Sequence, residues 1–337
     1  MKEAYLYKSL KNKKVRCDLC NHRCVIDVFQ KGKCGVRQNI NGKLFSMVYD
    51  KVISENVDPI EKKPLFHFLP GTLSLSIATP GCNFKCFFCQ NWQISQMPSD
   101  YNLIEGKLIP PEKIVNDAIK YNCPSISYTY TEPTIYFELA YDTAKMAAQQ
   151  NIKNIFVTNG FMSLEALEMI RPYLNAANID LKSFSEKFYK EKIGGRLKPV
   201  LKNIKIMFDY GIWIEITTLL IPGLNDSSQE LKEIASFISS ISISIPWHIS
   251  AYFPQYKSDI PPTSKNKIME AVQIGKDAGL KYVYGGNVFD LELENTYCFN
   301  CKNLLIKKCE ESYPNLVEVE SGHFTACFRA LELSSKV

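Results

Sequence analysis

The chain has 337 residues, 46% of them hydrophobic and 22% charged, with a net charge of +5. This is ordinary globular composition, long enough for one α/β barrel with small appendages. The charge excess is scattered, with no basic stripe interleaved with aromatic residues, so nucleic-acid binding is unsupported.

Met1 to Arg16 is lysine-rich and lacks the apolar run of a signal peptide. The least charged stretch, 234–253, carries many serines, Pro246 and His248. It reads as a helix end followed by a strand, not a membrane span. A cytoplasmic protein without membrane contact is expected.

Three zones follow one another. Residues 1–67 form a cysteine-rich, metal-binding segment, 68–290 the core, and 291–337 a cysteine-containing tail with a zinc-ribbon-like look. In the core, apolar β-branched and aromatic runs predict strands over 73–79, 125–130, 154–158, 177–181, 213–219 and 247–251, with a further short one at 282–284. Amphipathic patterns predict helices over 111–121, 134–150, 163–173, 198–210, 227–240 and 264–278, with Asp226-Ser227 and Thr263-Ser264 as N-cap signals. Such alternation predicts a parallel sheet with right-handed crossovers, a partial (βα)6 barrel of the TIM type. A doubly wound open sheet is the structural alternative.

Cysteines are the most informative residues. In a reducing compartment, clustered thiols more often bind metal than pair as disulfides. Eleven of the 12 fall into three groups. Cys123 stands alone and reads as a buried core thiol. The central group, Cys82, Cys86 and Cys89, follows directly after the first core strand. Three thiolates hold three irons of a [4Fe–4S] cube and leave the fourth iron without a protein ligand, the open position of a catalytic metal centre.

Cys-x3-Cys-x-aromatic-Cys, with Phe88 as the aromatic, resembles the signature of the radical S-adenosylmethionine (SAM) superfamily. That resemblance implies that the cluster cleaves SAM reductively to a 5′-deoxyadenosyl radical, with Phe88 beside the adenine. Thr131-Glu132-Pro133 resembles the Gly-Gly-Glu-type motif that meets the SAM amino group, although Tyr130 and Thr131 stand where glycines are usual. Thr158-Asn159-Gly160 and Asp180-Leu181-Lys182 resemble the ribose- and carboxylate-binding segments of the activating-enzyme branch, which includes the pyruvate formate-lyase activating enzymes. The loop 221–226 (Ile-Pro-Gly-Leu-Asn-Asp) is a further match. Parallel barrels carry their active sites at the C-terminal strand ends, where Cys82–Cys89, Glu132, Asn159, Asp180 and Lys182 fall. His248, on the sixth strand, joins them as a candidate SAM-pocket residue. Each polar residue also has a plain reading: Glu132 as a helix-start carboxylate, Asn159-Gly160 as a turn, Asp180 and Lys182 as an ion pair, His248 as a hydrogen-bonded core histidine.

A closer likeness spans about Cys17 to Cys301. The runs 58–71 (Asp-Pro-Ile-Glu-Lys-Lys-Pro-Leu-Phe-His-Phe-Leu-Pro-Gly), 90–96, 252–254 and 282–287 are similar to the radical SAM enzyme family of the AmmeMemoRadiSam system. The likeness implies AMMECR-type and Memo-type partner proteins and an electron donor such as flavodoxin or ferredoxin. It leaves the substrate, protein or small molecule, open.

Two outer groups remain. Cys17, Cys20, Cys24 and Cys34 supply four thiols, enough to close a zinc site or to hold an auxiliary [4Fe–4S] cluster. In the tail, Cys298, Cys301 and Cys327, with either His323 or Cys309, make a candidate mixed site, and a metal-free tail is the alternative. The leading function is hydrogen abstraction from a substrate over the barrel mouth, with protein activation or modification slightly ahead. The alternatives are a non-catalytic iron–sulfur assembly or redox-sensing component of the same system and, weaker still, a zinc-dependent nucleic-acid binder.

Overall fold

The computed structural model describes residues 1–288, 291–307, 316–320 and 323–326. Its centre is one eight-stranded sheet. The strands are β1 (Ser54–Pro59), β2 (Leu73–Ala78), β3 (Ser125–Tyr128), β4 (Lys153–Thr158), β5 (Ala176–Asp180), β6 (Trp213–Leu220), β7 (Trp247–Ala251) and β8 (Val283–Gly286). Their spatial order follows the chain. β2 to β8 run parallel, and β1 pairs antiparallel with β2. β1 and β8 are the two edges, so the barrel is incomplete. The expected short seventh parallel strand is β8, and β1 is an addition that its polar sequence, Ser-Glu-Asn-Val-Asp-Pro, did not announce.

Between the strands lie α1 (Pro111–Lys120), α2 (Phe137–Gln149), α3 (Leu164–Ile170), α4 (Glu186–Lys192), α5 (Leu197–Asp209), α6 (Ser228–Ile241) and α7 (Lys265–Asp277). Each longer helix buries one stripe. In α6 it is Leu231, Ile234, Ala235 and Ile238, the spacing that keeps apolar side chains on one face. Serines cap four of the starts: Ser163, Ser185, Ser227 and Ser264 each accept a backbone N–H from three residues ahead. α4 had no place among the predicted helices, because its sequence is charged and only Phe188 and Tyr189 are buried.

The N-terminal segment folds as two three-stranded antiparallel sheets. It is tied to the barrel by a buried ion pair, with Arg37 donating to both oxygens of Glu138 at 2.8 and 2.6 Å. Its apolar residues, including Val15, Leu19 and Val36, join the same core as the barrel helices. Among the described residues no helix is long and apolar enough to cross a membrane.

Candidate active site

The loop from Pro80 to Asn91 leaves the end of β2 and carries Cys82, Cys86 and Cys89. It is pinned on several sides: the Gly81 N–H donates to the Ile94 carbonyl at 3.0 Å, and the Lys85 N–H to that of Ile193 at 2.9 Å. Gly81 has φ of +107°, and a Cβ there would come within 2.8 Å of the Val36 side chain. The N-terminal segment therefore packs directly against the cysteine loop, at a place only glycine allows.

The three thiols line a cavity of about 300 Å³ at the C-terminal ends of the parallel strands. Phe88, Glu132, Asn159, Asp180 and Lys182 line it as well. Burial pushes the Cys86 thiol up to about 12, and lifts Cys82 well above the usual thiol range with help from the Glu132 and Cys86 charges.

Glu132 is fully buried and saturated with donors. One carboxylate oxygen accepts from the Thr134 N–H at 3.1 Å, the Thr134 hydroxyl at 2.5 Å and the Thr158 hydroxyl at 2.8 Å. The other accepts from the Asn159 N–H at 2.8 Å. Burial raises its pKa despite these bonds. Tyr130, just upstream, has φ of 59°, the left-handed conformation that glycine adopts freely. The backbone thus takes a glycine-like turn without glycine. Its carbonyl accepts from Asn91 Nδ2 at 2.9 Å, its hydroxyl donates to Asp58, and Lys63 Nζ lies 4.6 Å from its ring centre.

At the end of β5, Lys182 Nζ donates to Asp180 at 2.8 Å. Burial works against the Lys182 charge, but Asp180 and the nearby Cys86 sulfur hold its pKa above the usual lysine range. The pair is an ion pair and also a cavity wall. Phe88 is buried, 6.1 Å from Phe188 of α4 between ring centres.

His248 is not in this cavity, which corrects the expectation. It is the second residue of β7, in register with Thr217 of the cavity wall but bonded to Glu215, two residues earlier on β6. There Nε2 donates to Glu215 at 2.7 Å, and the ring stacks on Tyr284. Glu215 also accepts the N–H groups of Phe66 and His67, at 3.0 and 2.9 Å. The plain reading of His248 as a hydrogen-bonded core histidine is what this network shows.

Sequence reasoning gave no role to Asn83, between the first two thiols. Its Oδ1 accepts from Asn159 Nδ2 at 2.7 Å, its carbonyl lies 2.8 Å from His22 Nε2, and its own Nδ2 is buried without a partner. Thr217, also on the cavity wall, has an unpartnered buried hydroxyl. The only signal for Asn83 was its position inside the cysteine motif.

Of the outer cysteines, Cys17, Cys20, Cys24 and Cys34 surround a separate small cavity. Cys123 is a buried free thiol. Cys298 and Cys301 sit at a two-stranded hairpin, where the Cys298 N–H donates to the Asn303 carbonyl at 2.8 Å. Cys309 and Cys327 lie outside the described residues, as does the side chain of His323.

Residues 76–238 match the model of the radical SAM superfamily. An uncharacterised protein of Methanocaldococcus jannaschii is 46% identical over 310 residues, covering 91% of this chain and 92% of its own. A pyruvate formate-lyase-activating enzyme of Clostridium pasteurianum is 21% identical over 167 residues, covering 48% of this chain and 67% of its own. Among solved structures, a radical SAM methyltransferase from Sphaerobacter thermophilus superposes with a TM-score of 0.50 at 15% identity, over 70% of this chain and 71% of its own.

Proposed function

The chain belongs to the radical SAM superfamily, and we propose that it is the radical SAM enzyme of an AmmeMemoRadiSam system, abstracting hydrogen from a protein or small-molecule substrate. The superfamily implies a [4Fe–4S] cluster and SAM. The residues present fit both. Three thiols line one cavity with Glu132, Asn159, Asp180 and Lys182. Its volume of about 300 Å³ is within the range of small-molecule sites. The unpartnered Thr217 hydroxyl on its wall is a polar group in want of a ligand.

When bound, the cluster supplies the electron that cleaves SAM to methionine and a 5′-deoxyadenosyl radical. Cys82, Cys86 and Cys89 would hold three of its irons and leave one open. Glu132 would accept from the SAM amino group while Thr134, Thr158 and Asn159 keep its carboxylate fixed. Asn159 would meet the ribose, and Lys182, oriented by Asp180, the SAM carboxylate. Phe88 offers an apolar face for the adenine. The Tyr130 turn holds the wall beside Asn91 in place. A flavodoxin- or ferredoxin-type donor, and AMMECR-type and Memo-type proteins, complete the proposed set of partners.

The observation that carries this reading is the single cavity shared by the three thiols, Glu132 and Asn159. The test is anaerobic reconstitution, reduction with dithionite and addition of SAM. Release of 5′-deoxyadenosine is expected, and its loss when any of Cys82, Cys86 or Cys89 is replaced by Ala. Iron-loaded, reduced protein that leaves SAM intact would overturn it.

A further inference from the structure

Tyr130 is the centre of a three-residue turn: the Thr131 N–H donates to the Thr129 carbonyl at 2.7 Å, and Tyr130 takes φ of 59°. A turn of this size with positive φ is rare and strained for a residue that carries a Cβ. Thr129, Tyr130, Thr131 and Glu132 all line the cavity that the three central thiols share. A tyrosine therefore holds the left-handed conformation two residues before the carboxylate that Thr134, Thr158 and Asn159 saturate. Strain of this kind persists only where the surroundings over-determine it.

Those surroundings come from outside the parallel strands. The Tyr130 hydroxyl donates to Asp58 of β1, and Asp58 also accepts from Lys63 Nζ at 2.6 Å and from Lys62 Nζ at 3.0 Å. The Lys63 side chain is 1% exposed, with Nζ 3.5 Å from the Tyr130 hydroxyl and 4.6 Å from its ring centre. Burial works against the Asp58 charge, but the bonds from Lys63 and Tyr130 hold its pKa below the ordinary value. The ring is thus gripped at its far end by a carboxylate and over its face by an ammonium. At its near end the Tyr130 carbonyl accepts from Asn91 Nδ2 at 2.9 Å, just past the cysteines. Neither Asp58 nor Lys63 lines the cavity, so any effect of theirs on a bound molecule passes through Tyr130.

We propose that Asp58 and Lys63 form a positioning latch that holds Tyr130 in its left-handed turn and thereby fixes the Tyr130–Glu132 wall of the SAM pocket. Its bearing on SAM rests on the functional reading above, whereas the latch on the turn does not. Glycine in the same place would adopt the turn unaided. Tyrosine adopts it because its hydroxyl is tied down. If the ring served only as packing, removing more of it would do more harm. With a latch the order reverses: a tyrosine that loses its tie is worse than a glycine that needs none.

Cluster-loaded Tyr130→Phe, Tyr130→Gly and Asp58→Asn variants of the full chain are compared with wild type by anaerobic equilibrium dialysis against SAM. Tyr130→Phe keeps the ring and the Asp58–Lys63 pair but loses the tie, and should bind SAM about tenfold more weakly. Tyr130→Gly should stay within about threefold of wild type. Asp58→Asn should weaken binding by itself, yet change nothing further when added to Tyr130→Gly. Weaker binding by Tyr130→Gly than by Tyr130→Phe, or an equal effect of Asp58→Asn in both backgrounds, overturns the proposal. Hydrogen exchange over residues 129–132 of the metal-free protein reads the turn without SAM. Faster exchange in Tyr130→Phe and Asp58→Asn is expected, and unchanged exchange in both overturns the latch. Wild-type protein that fails to bind SAM would sink the functional reading alone and leave exchange to decide the latch.

Discussion

Asn159 Nδ2 donates to Asn83 Oδ1 at 2.7 Å, joining residues 76 positions apart. The bond ties the cysteine loop to the end of β4. Because the Asn159 N–H also donates to Glu132 at 2.8 Å, three segments of the candidate SAM pocket meet at one asparagine. Asn83→Ala leaves the Asn159 amide buried without an acceptor, a loss of about 1–3 kcal/mol. The expected result is a lower urea midpoint and SAM binding weakened about tenfold, read by anaerobic equilibrium dialysis. Unchanged SAM affinity would remove the Asn83–Asn159 bridge from the pocket.

Glu132→Gln tests the saturated carboxylate. Both oxygens of Glu132 accept, from Thr134, Thr158 and Asn159, and a carboxamide offers only one acceptor oxygen. Its NH2 group must face a donor, on whichever side it turns. The variant should lose about 1–3 kcal/mol of stability and bind SAM at least tenfold more weakly, while its iron content stays near wild type. Loss of iron in step with SAM affinity would instead make Glu132 a support of the cysteine loop.

How much of this was legible beforehand follows from what each signal measures. Strands buried on both faces, such as Ser125–Tyr128, and helices with one apolar stripe, such as Ser228–Ile241, announce themselves by hydrophobic pattern. Ser54–Pro59 does not, because an edge strand buries little and its polar sequence reads as loop. The cysteines, Glu132, Asn159 and Asp180 were legible because strand ends can be counted along the chain. His248 was not placed by the same count: it is the second residue of its strand, short of the C-terminal end, and its ring turns to Glu215 instead of the cavity. Asn83 and the turn at Tyr130 were illegible, since their roles depend on contacts with Asn159, Asn91 and Asp58 that no local pattern encodes.

The Glu215–His248 pair predicts an acid-side dependence of stability. Burial alone would raise the Glu215 pKa, but the His248 hydrogen bond and charge outweigh it and leave the carboxyl below its ordinary value of 4.5. A carboxyl depressed in the folded state stabilises above its unfolded pKa, and that contribution is lost as pH falls from about 4.5 through the folded value. Glu215→Gln should cost about 1–3 kcal/mol at pH 7. It should also lower the slope of stability against pH below 4.5 by up to one proton per molecule. Urea unfolding of wild type and variant across pH 3–7 gives both quantities, and equal acid slopes would mean that Glu215 is not depressed.

Arg37 and Glu138 tie the N-terminal segment to the barrel through a buried ion pair. Glu138 accepts from both terminal nitrogens of Arg37 and from the Tyr5 N–H at 3.0 Å, deep in the interior. Glu138→Ala strands a buried guanidinium and should cost about 3–5 kcal/mol. Replacing both members, Arg37→Met with Glu138→Leu, removes two desolvated charges together and should cost far less than the sum of the single changes. Urea midpoints of Arg37→Met, Glu138→Leu and the double variant complete the cycle. A double variant as unstable as the sum of the single changes would mean that the two charges are not coupled across the interior.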